Sequence, residues 1–123
     1  KDFNSLDRLF NRWRKCKLRE TASNEKSAAY TVNKGEEMRI CIRHNGRMEN
    51  PNTSMFVILH ELGHVASITF GHDESFRQNF SYLTHLAAKL GLYEPEDFVN
   101  NSKFYCGTEI NTSPCSQGTC EYI

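Results

Sequence analysis

Met55-Phe56-Val57-Ile58-Leu59-His60-Glu61-Leu62-Gly63-His64-Val65-Ala66-Ser67-Ile68-Thr69-Phe70 is an apolar run broken by two histidines and one glutamate. It reads as a buried helix, predicted from about Ser54 to Phe70 and ended by Gly71. At about 100° per residue His64 lies about 40° from His60 around the helix, and Glu61 falls in the same third of the circumference. Two imidazoles and a carboxylate therefore face one spot, in the pattern HExxH. Zn²⁺ takes neutral imidazole nitrogens as ligands and lowers the pKa of a bound water to about 7, so that a carboxylate beside it can accept the proton. The competing reading, histidines that are merely buried and hydrogen-bonded, leaves three polar groups to be accommodated in an apolar helix without a partner, which is costly. Phe56, Val57, Ile58, Leu59, Leu62, Val65 and Ile68 make this a central core helix. Gly63 lies on the His60 side, where a missing side chain lets another element approach closely.

Catalytic zinc usually takes three protein ligands and one water, so two histidines leave the set incomplete. His72 is the leading candidate for the third: Gly71 allows a sharp turn after the helix, and the ring of His72 can swing back over His60 and His64. Asp73 and Glu74 are the alternatives, although Asp73 also suits a helix N-cap. His85 is predicted to be exposed on the following helix, and His44 belongs to a turn; neither is expected to be a ligand.

The chain has 123 residues, with 15 basic and 15 acidic side chains. That length suits one domain with its own core. The balanced charge sets up no global field toward nucleic acid or membrane. Locally, residues 1–19 are basic and 94–123 acidic. A solvated helix face accounts for the basic stretch, with a phosphate-contacting patch as the alternative. No apolar stretch is long enough to span a bilayer, and no signal-like segment opens the chain. Five cysteines, an odd number without a regular framework, point to a reducing compartment. Cys16 and Cys41 read as buried thiols. Cys106, Cys115 and Cys120 are expected to be reduced as well, with a disulfide or a second metal site as alternatives. Asn79 begins a glycosylation sequon close to the apolar face of a predicted helix, where no glycan fits. The expected location is intracellular (cytoplasm, nucleus or viral particle), not secreted.

Phe3, Leu6, Leu9, Phe10 and Trp13 recur at helical spacing, which predicts an amphipathic helix over residues 3–19 with its apolar stripe in the core and Arg8, Arg12, Lys15 and Arg19 outside. Residues 20–28 read as a loop. Tyr30 to Asn33 and Met38 to Arg43 read as strands of a hairpin around Lys34-Gly35-Glu36. His44-Asn45-Gly46-Arg47 is turn chemistry, and Asn50-Pro51-Asn52-Thr53-Ser54 stops one element and caps the next. Asp73 or Ser75 caps a helix to Leu90 that buries Phe76, Phe80, Leu83, Leu86, Ala87 and Leu90, and Gly91 ends it. Glu94-Pro95-Glu96-Asp97-Phe98 opens a further short turn. An irregular tail over residues 101–123 is expected to be pinned by Phe104 and Tyr105, with Cys106 as a further candidate anchor. The predicted class is α+β, with a small sheet or hairpin packed on three main helices and the HExxH helix central; residues 30–100 form the core.

With His60-Glu61-Leu62-Gly63-His64 followed by Gly71-His72-Asp73-Glu74-Ser75-Phe76, the chain resembles the WLM and SprT-like zinc metallopeptidases, particularly the compact WLM-type proteases of eukaryotes and large DNA viruses. The matching stretch covers residues 30–107, including Ile40-Cys41-Ile42-Arg43 and Tyr105-Cys106-Gly107. The family pairs HExxH with a downstream His followed by a Phe, here His72 and Phe76, although the gap between His64 and His72 is longer than in the family's pattern. The resemblance implies a minimal zincin fold in which a small sheet shelters the metal helix and an edge strand binds an extended peptide. Some members cleave proteins crosslinked to DNA, a role that the basic first helix would suit.

The expected activity is then a zinc endopeptidase: His60, His64 and His72 hold one ion, and Glu61 serves as the base. A substrate strand would pair with residues 38–43, bringing Ile40 and Ile42 against it. Tyr105 is a candidate second oxyanion donor if the tail folds back, against a plainer role as an aromatic anchor. The competing class is a non-catalytic binding module, in which a fourth protein ligand such as Asp73 or a tail cysteine closes the zinc site and the basic helix docks to nucleic acid. A small-molecule amidase shares the same metal chemistry.

Overall fold

The computed structural model describes residues 3–21 and 28–115. In chain order the elements are α1 (Ser5–Trp13), β1 (Lys17–Glu20), β2 (Ala29–Val32), β3 (Glu37–Ile40), β4 (Arg43–His44), β5 (Arg47–Met48), α2 (Pro51–Ala66), α3 (Glu74–Lys89), β6 (Lys103–Tyr105) and β7 (Thr108–Ile110). The class is α+β, as the sequence predicts. Cys120 and most of the 20–28 loop lie outside the described residues.

The hairpin expected around Lys34-Gly35-Glu36 forms: β2 and β3 pair antiparallel, with Ala29 opposite Ile40 and Val32 opposite Glu37. Asn33, Lys34 and Gly35 all adopt positive φ in its turn. Gly35 is needed there, because a Cβ would come within 3.2 Å of Val65 on α2. What local patterning did not reveal is β1, which pairs parallel with the other side of β3, Lys17 against Glu37. The sheet order is β1-β3-β2, so β3 is central and β2 is an edge. A substrate strand therefore cannot pair with residues 38–40, whose backbone bonds on both sides. Ile40 is buried in the core, and Ile42 lies beyond β3 with its side chain partly exposed.

Asn50 caps α2 by accepting from the amides of Asn52 (2.9 Å) and Thr53 (3.1 Å), with Pro51 in the first turn, so the helix starts three residues earlier than predicted. It also stops earlier, at Ala66 rather than Phe70. The cause is tertiary. Arg12 donates to the carbonyls of Val65 (2.8 Å) and Ser67 (2.8 Å), Arg8 to Ala66 (3.0 Å), and Lys34 to Ser67 (3.2 Å) and Thr69. Cations gathered on unpaired carbonyls at a helix C-terminus satisfy both their hydrogen bonding and the negative end of the dipole.

This corrects the reading of the first helix. α1 ends at Trp13, and its Arg8 and Arg12 face the protein while Phe3, Leu6, Phe10 and Trp13 are exposed. Only Leu9 of the predicted stripe packs against the core. The inward side of α1 is selected by the carbonyls that it must satisfy.

α2 is central, as expected, and contributes to three apolar clusters. Phe56 and Leu59 join Phe76, Phe80, Leu83, Ala87, Tyr93 and Phe98; Val65 joins Met38 and Ile40; Val57 joins Cys41 and Tyr105. In α3, Asp73 caps the amide of Phe76 at 2.9 Å, and Phe76, Phe80, Leu83 and Ala87 are buried, but Leu86 and Leu90 are exposed. Asn79 is buried, as its sequon argument requires, and donates to Ser67 Oγ at 3.0 Å. In the short turn after α3 the Asn101 amide donates to the Asp97 carbonyl at 2.9 Å and the Asn100 amide to Asp97 Oδ1 at 3.2 Å.

Residues 103–110 are not an irregular tail. β6 and β7 form a hairpin whose turn, Cys106-Gly107, has positive φ at both positions. A disulfide between Cys41 and Cys106 ties this hairpin to the end of β3, and Tyr105 donates its hydroxyl to the Cys41 carbonyl. Cys115 is disulfide-bonded too, and among the described residues Cys16 is a half-buried free thiol. The expectation of reduced thiols is corrected at Cys41, Cys106 and Cys115, and the cysteine argument for a reducing compartment loses its basis. No helix among the described residues is long and apolar enough to cross a membrane.

Two substitutions test this packing. Arg12→Ala should cost about 1–3 kcal/mol, because buried carbonyls lose a charged donor, while Phe10→Ser should stay within about 0.5 kcal/mol, as expected of an exposed site; denaturant midpoints would reverse in order if the stripe were the buried face. Gly63→Ala should destabilise by about 1–3 kcal/mol through overpacking, since its Cβ would stand 2.9 Å from the Phe76 ring.

Candidate metal centre

His60 and His64 sit one turn apart on α2, and the 67–73 segment, released by the early end of that helix, carries His72 back over them. His72 Nε2 lies 3.2 Å from His60 Nε2 and 3.1 Å from His64 Nε2, and all three ring nitrogens lie within 4.8 Å of one another. Ligands about 2.0–2.1 Å from a tetrahedral zinc stand about 3.3 Å apart, so this spacing fits a metal ion. The chemistry of the donors agrees: the three imidazole nitrogens turn toward each other, and the Glu61 carboxylate stands 3.7 Å from His60 Nε2, beyond hydrogen-bond distance.

Of the alternatives for the third position, Asp73 turns its carboxylate to the start of α3 and joins no ligand set. Glu74 forms an exposed i,i+3 ion pair with Arg77 on α3 and does not join the histidines. His85 bonds the Ser81 carbonyl at 2.7 Å, and His44 stands in β4 beside Gly107, so neither joins the three. Among the described residues no other His, Cys, Asp or Glu completes a cluster with them.

Phe76, expected from the sequence to be buried on α3 and to follow the third histidine, takes a more specific place in the structure. Its ring stacks on His64, with centroids 4.2 Å apart and planes 25° from parallel, and it contacts the rings of His60 and His72 at 5.0 Å each. Phe80 meets the edge of His60 at 5.2 Å. Packing on both sides restricts the imidazole rotamers and so orients the nitrogens. Gly63 makes this possible by letting α3 approach α2 face to face. Its place on the His60 side was the signal in the sequence; the partner it admits was not.

Burial, reinforced by the neighbouring rings, pushes the pKa of His60 down to about 3 and that of His64 down to about 4. Both are neutral, the form that binds metal. Glu61 is buried beside them. Thr31 Oγ1 donates to its Oε1 at 2.7 Å, and its Oε2 is 3.7 Å from His60 Nε2. Burial raises its pKa, and the Thr31 bond partly opposes this. A carboxylate with raised basicity, one oxygen held from the β2 edge and the other turned toward the histidines, can accept a proton at that point. Thr31 escaped the sequence reading, because the strand pairing that places it is long-range.

Tyr105 is wholly buried with its hydroxyl on Cys41, and burial raises its pKa further. It anchors the β6–β7 hairpin. It is not free to serve as an oxyanion donor.

The chain is similar to three viral proteins whose descriptions assign no activity. It is 34% identical over 108 residues to an uncharacterized protein of Acanthamoeba polyphaga mimivirus, covering 86% of this chain and 55% of the relative. It is 38% identical over 85 residues to an uncharacterized protein of Invertebrate iridescent virus 3, covering 67% of this chain and 51% of the relative. A third, from Invertebrate iridescent virus 6, is 33% identical over 94 residues, covering 72% and 51%. The chain spans about half the length of these curated relatives. No protein-family profile and no solved structure matches it.

Proposed function

We propose that this chain is a zinc-dependent endopeptidase domain of the zincin type, related to the WLM and SprT-like metallopeptidases. The observation that carries the reading is the convergence of three histidine Nε2 atoms beside a buried glutamate. His60, His64 and His72 would hold the ion, and three protein ligands is the number that catalytic zinc takes. When bound, zinc supplies Lewis acidity that polarises a carbonyl and acidifies a water. Glu61 takes up the proton of the attacking water and passes it to the leaving amine. Thr31 keeps Glu61 Oε1 fixed, leaving Oε2 as the atom that exchanges the proton.

The β2 edge replaces residues 38–43 as the docking strand. Ala29, Tyr30 and Thr31 border the site directly on an edge strand, the kind of element to which an extended peptide can add. This geometry favours a polypeptide over a small amide as the substrate. The non-catalytic alternative draws less support, because Asp73 is engaged as a helix cap. A contact with DNA, as needed for acting on DNA-crosslinked proteins, would fall to Arg14, Lys15 and Lys17, since Arg8 and Arg12 are engaged inside the fold. Loss of that binding with rising salt is its expected signature.

Glu61→Gln should retain stoichiometric zinc and lose about 10²–10⁴ in peptide cleavage; metal analysis and turnover on a denatured protein substrate measure both, and undiminished turnover would exclude Glu61 as the base. The metal-free protein should also show a defined pH dependence. His60 and His64 titrate in the fold at about 3 and about 4, below the ordinary value of about 6.5 for an unfolded chain. Between those limits the unfolded state binds more protons, so stability is complete above about pH 6.5 and falls as pH drops toward 3. Glu61, with its raised pKa, contributes in the opposite direction. Chemical denaturation across pH 3 to 7 should therefore give a steeper acid loss in Glu61→Gln than in the unaltered chain.

A further inference from the structure

Two cavities flank His60 and Glu61, with Ala29 of β2 bordering both. They differ in chemistry. One, of about 320 Å³, reaches from Tyr30 and Thr31 to His64, His72 and Phe70 and includes the cation Lys34. The other, of about 380 Å³, runs from His60 and Glu61 to the β6–β7 hairpin. Its walls are Ala28 and Ala29 on one side, Phe56 and Val57 below, and Thr108 and Ile110 opposite. Apart from His60 and Glu61 no charged or titrating side chain is free in it, since the Tyr105 hydroxyl on its border is bonded to Cys41.

The hairpin wall is firmly held. Cys41–Cys106 links its turn to the end of β3, the Cys106 amide donates to Glu49 Oε1 at 3.1 Å, and Ile110 packs against two of the core clusters. A wall fixed at this many points selects by shape and polarity, because a charged group seated against the hairpin, away from Glu61, would lose water without gaining a partner. The volume lies at the small end of the range for ligand sites, about 300–1,000 Å³. It suits one side chain of a longer ligand.

Building on the endopeptidase reading, we infer that the hairpin-walled cavity is a specificity pocket that receives an uncharged, apolar side chain of the polypeptide next to the bond to be cut. Ala28, Ala29 and Val57 leave the space, while Thr108 and Ile110 set its far limit. The cavity on the Lys34 side of Glu61 has a different, cationic lining, so the apolar selectivity falls on one side of the scissile bond.

The test uses the full chain loaded with zinc and carrying Glu61→Gln, mixed with a degenerate pool of peptides, with the retained sequences read by mass spectrometry. Leu, Met, Phe or Val should be enriched about tenfold over Asp, Glu, Lys and Arg at a single register position. Adding Thr108→Asp, at an exposed hairpin position, should shift the enrichment there to Lys and Arg. A retained pool with no positional preference would overturn the pocket, as would an unchanged preference in the Thr108→Asp protein. Cleavage by the unaltered chain is scored separately. Enriched sequences that it leaves intact would count against the endopeptidase reading while upholding the pocket.

Discussion

The arrangement depends on how the C-terminal end of the HExxH helix is satisfied. Val65, Ala66, Ser67 and Thr69 present carbonyls that no helical turn bonds, and Arg8, Arg12 and Lys34 arrive from two other elements to take them. A charged donor on such a carbonyl is worth more than a neutral one. With the helix stopped at Ala66, the next six residues are free to reverse direction, and His72 returns to its two partners. Had the apolar pattern continued as helix to Phe70, His72 would have been carried roughly another turn away.

The same interaction explains why the first helix lies with its arginines inward. Apolar periodicity is ordinarily the best guide to a buried face, and on α1 it selects the wrong side. The gain from burying Leu6, Phe10 and Trp13 competes with the cost of leaving carbonyls unpaired beneath them. Here the carbonyls prevail. The consequence for function is direct, since two of the cations that appeared available for phosphate contacts are structural.

The histidines are held by packing as much as by position in the chain. Phe76 contacts all three rings, and it reaches them only because Gly63 has no side chain to keep the two helices apart. On the opposite flank, the β6–β7 hairpin closes the space beside Glu61, fixed by Cys41–Cys106 and by Tyr105. Both supports join residues far apart in sequence. Both serve to limit motion around a small set of polar groups inside an apolar shell.

His60, Glu61 and His64 were legible in the sequence because helical geometry alone brings residues one and four apart to one face, and the capping role of the Asn50–Ser54 segment and of Asp73 or Ser75 was legible because caps act on neighbouring amides, with Asn50 and Asp73 then taking it in the structure. His72 could be nominated from Gly71 and its spacing, but its position over the other two followed from the early end of α2. The strand order, the disulfide, Thr31 on Glu61 and the inverted face of α1 depended on tertiary structure. The physical reason is range: periodicity and capping operate within a turn or two of backbone, whereas carbonyl satisfaction, sheet pairing and ring packing are decided between segments that meet only when the chain has folded.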